Sequence, residues 1–148
     1  MVAAARGYRV TILMSGSASR ERRQLITHLG AALILYESGG SYQTGIDITR
    51  DMASRDARYF LPRQFENPLN AQDHREHTGR EILSQIPGPI DVFVTGFGTG
   101  GTLAGCGQAI KTRYPRGRIL AMVPAQQTFL PGECPCCHCI EGVAEGFR

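Results

Sequence analysis

The sequence of 148 residues has no tryptophan, a single lysine and no apolar run that approaches the length of a membrane span. A helix that crosses a bilayer needs about 20 consecutive apolar residues, and the N-terminus lacks the apolar stretch of a secretory signal. We therefore expect a cytoplasmic protein that does not enter a membrane. The net charge is only +3, so a nucleic-acid partner, which needs a dense basic stripe, is not expected.

The cysteines and histidines do not form a pattern that is typical of a metal site. Four of the five cysteines crowd into six residues together with His138: Cys134, Cys136, Cys137 and Cys139. A disulfide framework spreads its cysteines, and a structural zinc site draws on two separated ligand pairs. We expect reduced thiols and no bound metal. His74 and His77 lie three residues apart in a predicted helix, where a solvated face is the expected setting.

Apolar runs alternate with helix-like stretches along the chain, which predicts an α/β fold with a doubly wound parallel sheet. Several of the apolar runs are continuous, as in parallel strands that are covered on both faces. Ser19 is the expected N-cap of the second helix, and Gly30 is expected to end it. Strands are predicted over 8–14, 31–36, 58–61, 90–95 and 118–123, and helices over 2–6, 20–29, 41–54, 74–84 and 102–114.

The glycine-rich segment Gly96–Thr102 (GFGTGGT), here called the phosphate loop, follows a predicted strand and opens a predicted helix. Glycine lets the backbone turn sharply and approach a ligand closely. The free amides at a helix start, aided by the helix dipole, bind anions, and the hydroxyls of Thr99 and Thr102 add donors. The sequence therefore predicts a phosphate ester at this loop, with a ligand-free turn as the alternative.

Two other phosphate-binding motifs fit this loop less well. The segment matches G-x-G-x-x-G at Gly96, Gly98 and Gly101, but a dinucleotide site also wants an acidic residue after the next strand. That strand is followed by Val123-Pro124-Ala125-Gln126, which contains no acid. A nucleoside triphosphate loop needs a lysine after its glycines, and Thr102 stands there instead.

The loop and its surroundings together resemble a known enzyme family. Residues 94–103 (VTGFGTGGTL) resemble the phosphate loop of fold-type II pyridoxal-phosphate enzymes. Residues 64–70 (QFENPLN) resemble the stretch that precedes this loop in cysteine synthases, or O-acetylserine sulfhydrylases, and in cystathionine β-synthases. Further similarities at 3–8, 19–23 and 140–147 extend the resemblance, in order, over nearly the whole chain.

The resemblance implies a fold, a cofactor and a site. The fold would be a partial tryptophan synthase β-like fold, with parallel twisted sheets and flanking helices. Residues 1–63 would be the remainder of its small lobe and residues 64–148 part of its large, cofactor-binding lobe. Gln64 would lie near the substrate carboxylate, and Gly142 would line the pocket floor. The phosphate of pyridoxal 5′-phosphate would be held by Gly98, Thr99, Gly100, Gly101 and Thr102.

The implied reaction is a β-replacement, in which an activated serine such as O-acetylserine loses its leaving group and sulfide takes its place. The cofactor is the electron sink of such a reaction, and the full-length family implies a homodimer. The family's Schiff-base lysine would lie before the region where this chain begins. The single lysine, Lys111, follows the phosphate loop by about two helical turns, where we expect it to face solvent. Met1 matches an interior position of the family, which indicates a truncated segment. A catalytically dead fragment of this fold is therefore the alternative, and a nicotinamide-binding Rossmann domain is a weaker one.

Overall fold

The computed structural model describes residues 1–37, 42–124 and 143. The chain divides into two compact units, Met1–Leu61 and Pro62–Arg148. In the described residues each unit contains one two-stranded parallel sheet with helices beside it. The predicted α/β class with parallel strands is therefore confirmed. None of the helices in these described ranges is long and apolar enough to cross a membrane.

The first unit is built around a parallel strand pair in which Thr11 lies opposite Ala32 and Ser15 opposite Tyr36. The side-chain oxygen of Ser19 accepts the N–H of Arg22 at 3.4 Å, which confirms the predicted N-cap. Its elements are α1 (Val2–Ala5), β1 (Thr11–Ser15), α2 (Arg20–His28), β2 (Ala32–Tyr36) and α3 (Tyr42–Arg55).

The second unit carries the phosphate loop between a strand and the helix that follows it. Its strands pair in parallel, with Val92 opposite Arg118 and Gly96 opposite Met122. Its elements are α4 (Leu69–Asp73), a π-helical turn (His74–Thr78), α5 (Gly79–Gln85), β3 (Val92–Gly96), α6 (Gly101–Arg113) and β4 (Arg118–Met122). Residues 69–85, called the helical stretch below, therefore run without a break.

Helix α6 lies at the centre of the second unit, between the sheet and the helical stretch. Cys106 and Ile110 are fully buried. A Cβ built on Gly107 would lie 3.2 Å from Cγ2 of Ile119 on β4. On the other side, a Cβ on Gly105 would lie 2.2 Å from the carbonyl oxygen of Ala71. Glycine at these positions lets the helix backbone approach both neighbours closely.

The strands are less covered than the sequence predicted. Side chains at every second position of β3 and β4 share one face of their sheet. On one such face Val94 is 56% exposed and Met122 58% exposed, and Val92 and Leu120 are exposed beside them. We call Val92, Val94, Leu120 and Met122 the exposed sheet face. The expectation of parallel strands covered on both faces is wrong for this sheet.

The strand predicted over 58–61 is also absent from the described residues, because a side chain satisfies the backbone there. A carboxylate oxygen of Asp56 accepts the N–H of Arg58 at 3.0 Å, and the carbonyl of Asp56 accepts the N–H of Tyr59 at 3.1 Å. Side-chain hydrogen bonds from Arg58 lower the pKa of Asp56 to about 2. A turn held by such a local pair replaces the strand pairing that the apolar residues indicate.

Candidate phosphate-binding site

The phosphate loop begins at the carboxyl end of β3 and ends in the first turn of α6. The N–H of Phe97 donates to the carbonyl of Met122 at 3.1 Å, which extends the strand pairing to the first residue after β3. Gly100 is the N-cap of α6 and has φ +82°. A Cβ at Gly100 would lie 3.2 Å from the Phe97 ring. Both the left-handed backbone and this close ring favour glycine.

The loop presents unpaired backbone donors. The N–H of Gly101 donates within the loop, to Oγ1 of Thr99 at 3.3 Å. Helix α6 has 13 residues and no acidic residue in its first turn, so its positive end is not neutralised. Within the ranges that the structure describes, no acceptor is found for the N–H groups of Gly98, Thr99, Gly100 and Thr102.

Both loop threonines are contacted by side chains from the helical stretch. The amide nitrogen of Asn70 donates to Oγ1 of Thr99 at 2.9 Å. Nε2 of His74 lies 3.2 Å from Oγ1 of Thr102, and its Nδ1 lies 3.0 Å from Oγ1 of Thr78. The orientation of each loop hydroxyl is therefore set by a residue outside the loop.

Small residues explain why the helical stretch can come so close to the loop. A Cβ on Gly101 would lie 2.2 Å from the Asn70 side-chain oxygen. One turn further along α6, Gly105 faces Ala71 and the Cβ of His74. A further turn along α6, Ala109 approaches the buried Gly79. A Cβ built on Gly79 would lie 2.7 Å from the Cβ of Ala109. Larger side chains on this face of α6 would push Asn70 and His74 away from the threonines.

A cavity of about 400 Å³ lies beside the loop. Gln64 and Asn70 line one part of it, and Thr99, Gly100 and Gly101 line another. Gly98 and Thr102 do not line it. Among the described lining residues, Glu66 is acidic and none is basic. An anion at the loop would therefore be held by amides, hydroxyls and the helix end rather than by a lysine or arginine.

Other predicted site residues lie outside this cavity or outside the described residues. Gly142 and the cysteine cluster at 134–139 fall outside the described ranges. Val143 is described, and its Cγ2 lies 3.6 Å from a Cβ built on Gly96. In the described part of the chain, no group of three or more histidine, cysteine or acidic residues could hold a metal ion.

The two histidines of the helical stretch differ in setting. His77 is exposed and pairs with Asp73, Nδ1 to carboxylate oxygen, at 3.0 Å, as the predicted solvated face requires. His74 is half-buried against the loop, so the same prediction is wrong for His74. The prediction also missed Asn70. The four-residue spacing of Asn70 and His74, which puts both on one helical face, is the signal that could have shown them.

Lys111 is exposed, as predicted, near the far end of α6. Its Nζ donates to the carbonyl of Pro115 at 3.0 Å. Lys111 is ten residues beyond the helix start, which places it about 15 Å away along the helix axis. It is therefore not in reach of a ligand whose phosphate lies at the loop.

A parallel strand, a glycine loop whose amides find no acceptor among the described residues, and a helix start are the features of a phosphate-binding site. Residues 1–146 match the family described as "Pyridoxal-phosphate dependent enzyme", and the chain belongs to this family. It is 39% identical over 147 residues to a cysteine synthase of Staphylococcus aureus, covering 99% of this chain and 47% of that protein.

Solved structures agree with this assignment. The crystal structure of an O-ureido-L-serine synthase matches with a TM-score of 0.91 and 42% identity, over 99% of this chain and 46% of that one. A cysteine synthase structure from Entamoeba histolytica matches with a TM-score of 0.86 and 33% identity, over 98% of this chain and 43% of that one. The resemblance to cysteine synthases and the fold-type II fold are confirmed, and the predicted cofactor is that of the family.

The chain spans about half the length of the curated relatives it matches, 47% for the Staphylococcus aureus protein and 48% for a Flavobacterium cysteine synthase. The match to the family, its fold and its cofactor class applies to the segment that this chain shares with those relatives.

Proposed function

We propose that the chain is part of a pyridoxal-phosphate-dependent enzyme that carries out β-replacement on an activated serine, such as O-acetylserine with sulfide. The observation that carries this proposal is the set of four N–H groups at the phosphate loop for which the described residues supply no acceptor. Its relatives support the chemistry, because they include cysteine synthases and an O-ureido-L-serine synthase. The predicted lobes (1–63 and 64–148), homodimer and cytoplasmic location remain proposals from the resemblance.

The loop would bind the cofactor through its phosphate, and the cofactor, when bound, supplies the electron sink. The amides of Gly98, Thr99, Gly100 and Thr102 would donate to the phosphate oxygens. Gly101 also belongs to the predicted set, but its N–H donates to Thr99. Gly101 would contribute instead by having no side chain, which leaves room for Asn70. A dianion is favoured because the helix dipole and the amides supply only positive potential at that position.

His74 would fix the orientation of Thr102. We assign the Nε2–H of the His74 imidazole as the donor to Oγ1 of Thr102, with Nδ1 hydrogen-bonded to Oγ1 of Thr78. The hydroxyl hydrogen of Thr102 is then left for a phosphate oxygen.

Gln64 would orient the amino-acid substrate. It lines the same cavity as Thr99 and Gly100, and its side-chain amide can donate to a carboxylate. The cavity volume, about 400 Å³, falls within the range of small-molecule sites. Gly142 keeps its proposed place at the pocket floor from the resemblance alone.

The position of the single lysine favours a second proposal for the 148-residue chain on its own. Lys111 is the single lysine of the sequence, and its amine is bound to Pro115 at the far end of α6. The chain alone would then hold the phosphate ester without a covalent bond and would not turn over substrate.

Phosphate recognition can be tested with pyridoxine 5′-phosphate, which lacks the aldehyde and so cannot react with amines. We expect the full chain to bind this ester in calorimetry, and to bind pyridoxine at least tenfold more weakly. Thr99→Val and Thr102→Val should each weaken binding by about tenfold, because each removes a hydrogen bond to a charged group. Thr112→Val is the matched control, since that exposed hydroxyl on α6 donates to the carbonyl of Gln108 within the same helix. Equal binding of pyridoxine and its phosphate would contradict the proposal.

Turnover separates the two proposals. The chain, mixed with pyridoxal 5′-phosphate, O-acetylserine and sulfide, should form cysteine no faster than the free cofactor does. Borohydride treatment should leave Lys111 unmodified in peptide mass spectra. Turnover that Thr102→Val abolishes would show that these residues are a complete catalyst and would overturn the second proposal.

A further inference from the structure

Asn70 connects two separate parts of the candidate site. Its amide nitrogen donates to the carbonyl oxygen of Gln64 at 2.9 Å and to Oγ1 of Thr99 at 2.9 Å. A carbonyl oxygen can only accept, so the group that faces Gln64 must be the NH₂ of the Asn70 amide. That NH₂ has two hydrogens, and both are used. The backbone of the cavity wall at Gln64 is thus tied to the phosphate loop through one side chain.

The hydrogen bonds of Thr99 determine where its own hydrogen can go. Its Oγ1 accepts from Asn70 at 2.9 Å and from the N–H of Gly101 at 3.3 Å. A hydroxyl has two acceptor lone pairs and one donor hydrogen. With both lone pairs engaged, the hydroxyl of Thr99 can act towards a ligand only as a donor.

The loop backbone is shaped to admit the Asn70 amide. A Cβ on Gly101 would lie 2.2 Å from the side-chain oxygen of Asn70 and 2.7 Å from its nitrogen. Gly101 has helical rather than left-handed backbone, so its conformation does not require glycine. The space taken by Asn70 does require it.

We infer that Asn70 is a positioning residue of the phosphate site. It acts through Thr99, whose hydroxyl it fixes as a hydrogen-bond donor to the phosphate ester, and it holds Gln64 in register with the loop. This inference rests on the proposed function, because it needs a phosphate ester at residues 98–102. It adds a residue from outside the loop whose two amide hydrogens are already bonded to Gln64 and Thr99.

A double-mutant cycle with pyridoxine 5′-phosphate as the probe tests the inference. Thr99→Val should weaken binding by about tenfold and Asn70→Ala by about fivefold, since each loses one oriented bond to a charged group. The double variant should bind no more than twofold more weakly than Thr99→Val, because Asn70 has nothing left to orient. A merely structural role for Asn70 would give losses that multiply.

Two further variants sharpen the result. Asn70→Asp keeps the size of the side chain but replaces the donor with a charged acceptor, which draws the Thr99 hydrogen towards itself and repels a dianion. It should therefore bind more weakly than Asn70→Ala, and it replaces that variant in the cycle if Asn70→Ala does not fold. Gln72→Ala, on the exposed side of the same short helix, is the control and should bind like the wild type.

The outcomes are distinct. Multiplying losses, or normal affinity of a folded Asn70→Ala chain, would overturn the inference while leaving the phosphate site in place. A wild-type chain that does not bind pyridoxine 5′-phosphate would overturn the proposed function, and the inference with it.

Discussion

Thr99 and Thr102 show that the chemistry of the phosphate loop extends beyond the loop itself. The two threonines are three residues apart, and the side chains that reach them, Asn70 and His74, are four residues apart. Both spacings correspond to about one helical turn. Successive positions on one helical face therefore meet successive hydroxyls.

Cys106 illustrates a buried thiol beside this site. Its side chain is fully buried, its Sγ lies 3.8 Å from the carbonyl oxygen of His74, and burial raises the pKa of its thiol. A raised pKa leaves less thiolate at neutral pH, and the thiolate is the reactive form. Alkylation at pH 8 should therefore modify the Cys106 peptide at least tenfold more slowly in the folded chain than in urea, with the difference followed by mass spectrometry. Equal rates would show that Cys106 is accessible.

At the scale of single residues, the sequence predicted local chemistry better than long-range contacts. The Ser19 cap and the solvent exposure of Lys111 depend on neighbours within a few positions, and both are confirmed. His74 was predicted to face solvent because polar residues surround it in sequence. Its actual partner, Thr102, is 28 residues away, and no local pattern reports that pairing.

Among the elements, α6 owes its position to small residues on two of its faces. Gly101, Gly105 and Ala109 face the helical stretch, while Gly107 faces β4. A glycine inside a helix costs about 1 kcal/mol relative to alanine. Close packing against both neighbours, and access of Asn70 to the loop, offset that cost.

Gly105→Ala should mainly lower stability, whereas Gly101→Ala should mainly lower ligand affinity. Gly105→Ala places a methyl group 2.2 Å from the carbonyl oxygen of Ala71, and overpacking of this kind costs about 1–3 kcal/mol. Gly101→Ala meets the movable side chain of Asn70 instead, so stability should change less while affinity for pyridoxine 5′-phosphate should fall as in Asn70→Ala. Urea unfolding and calorimetry on both variants check this, with Thr112→Val, at an exposed position of α6, as a comparison for general effects. Normal ester affinity in Gly101→Ala would contradict the steric argument.

Strands and helices with strong periodicity were predicted within a few residues of their observed bounds. Four of the five predicted strands are present, and α6 occupies 101–113 against a predicted 102–114. The region 62–73, for which no helix or strand is predicted, contains α4, and the predicted helix at 74–84 begins with a π-helical turn. These departures occur where the chain packs against glycine positions of α6. Sequence periodicity does not reveal such a long-range contact.

On the scale of the whole molecule, the described contacts of the candidate site all lie in the second unit, Pro62–Arg148. The family and its cofactor were predicted from the resemblance of ordered motifs over the chain. The residues alone predicted only a phosphate ester at a strand–loop–helix junction. A truncated parallel sheet is expected to expose apolar surface, but the sequence did not show that the exposed sheet face would be the one concerned, because apolar runs indicate burial without showing what covers them.

The exposed sheet face should make the isolated chain associate, since contiguous apolar patches on a protein surface favour contacts between copies. Val94 lies opposite Leu120 at its centre. Val94→Lys should lower the weight-average mass in concentrated samples measured by sedimentation velocity. Val2→Lys, an exposed apolar residue of the first unit, is the control. A wild-type chain that stays monomeric across the concentration range would contradict this expectation.

The π-helical turn at His74–Thr78 limits which insertions and deletions this region can accept. A π-helical turn holds one residue more than an α-helical turn closing over the same distance. Removing one residue from His74–Thr78 would let the segment become α-helical over the same distance, so Gly79 would keep its place against Ala109. Adding a residue, or removing two, would instead rotate every later side chain by about 100° around the axis, and a bulkier neighbour of Gly79 would then meet α6. Homologous chains that keep the glycine loop are therefore expected to have between Asn70 and Gly79 the same number of residues or one fewer.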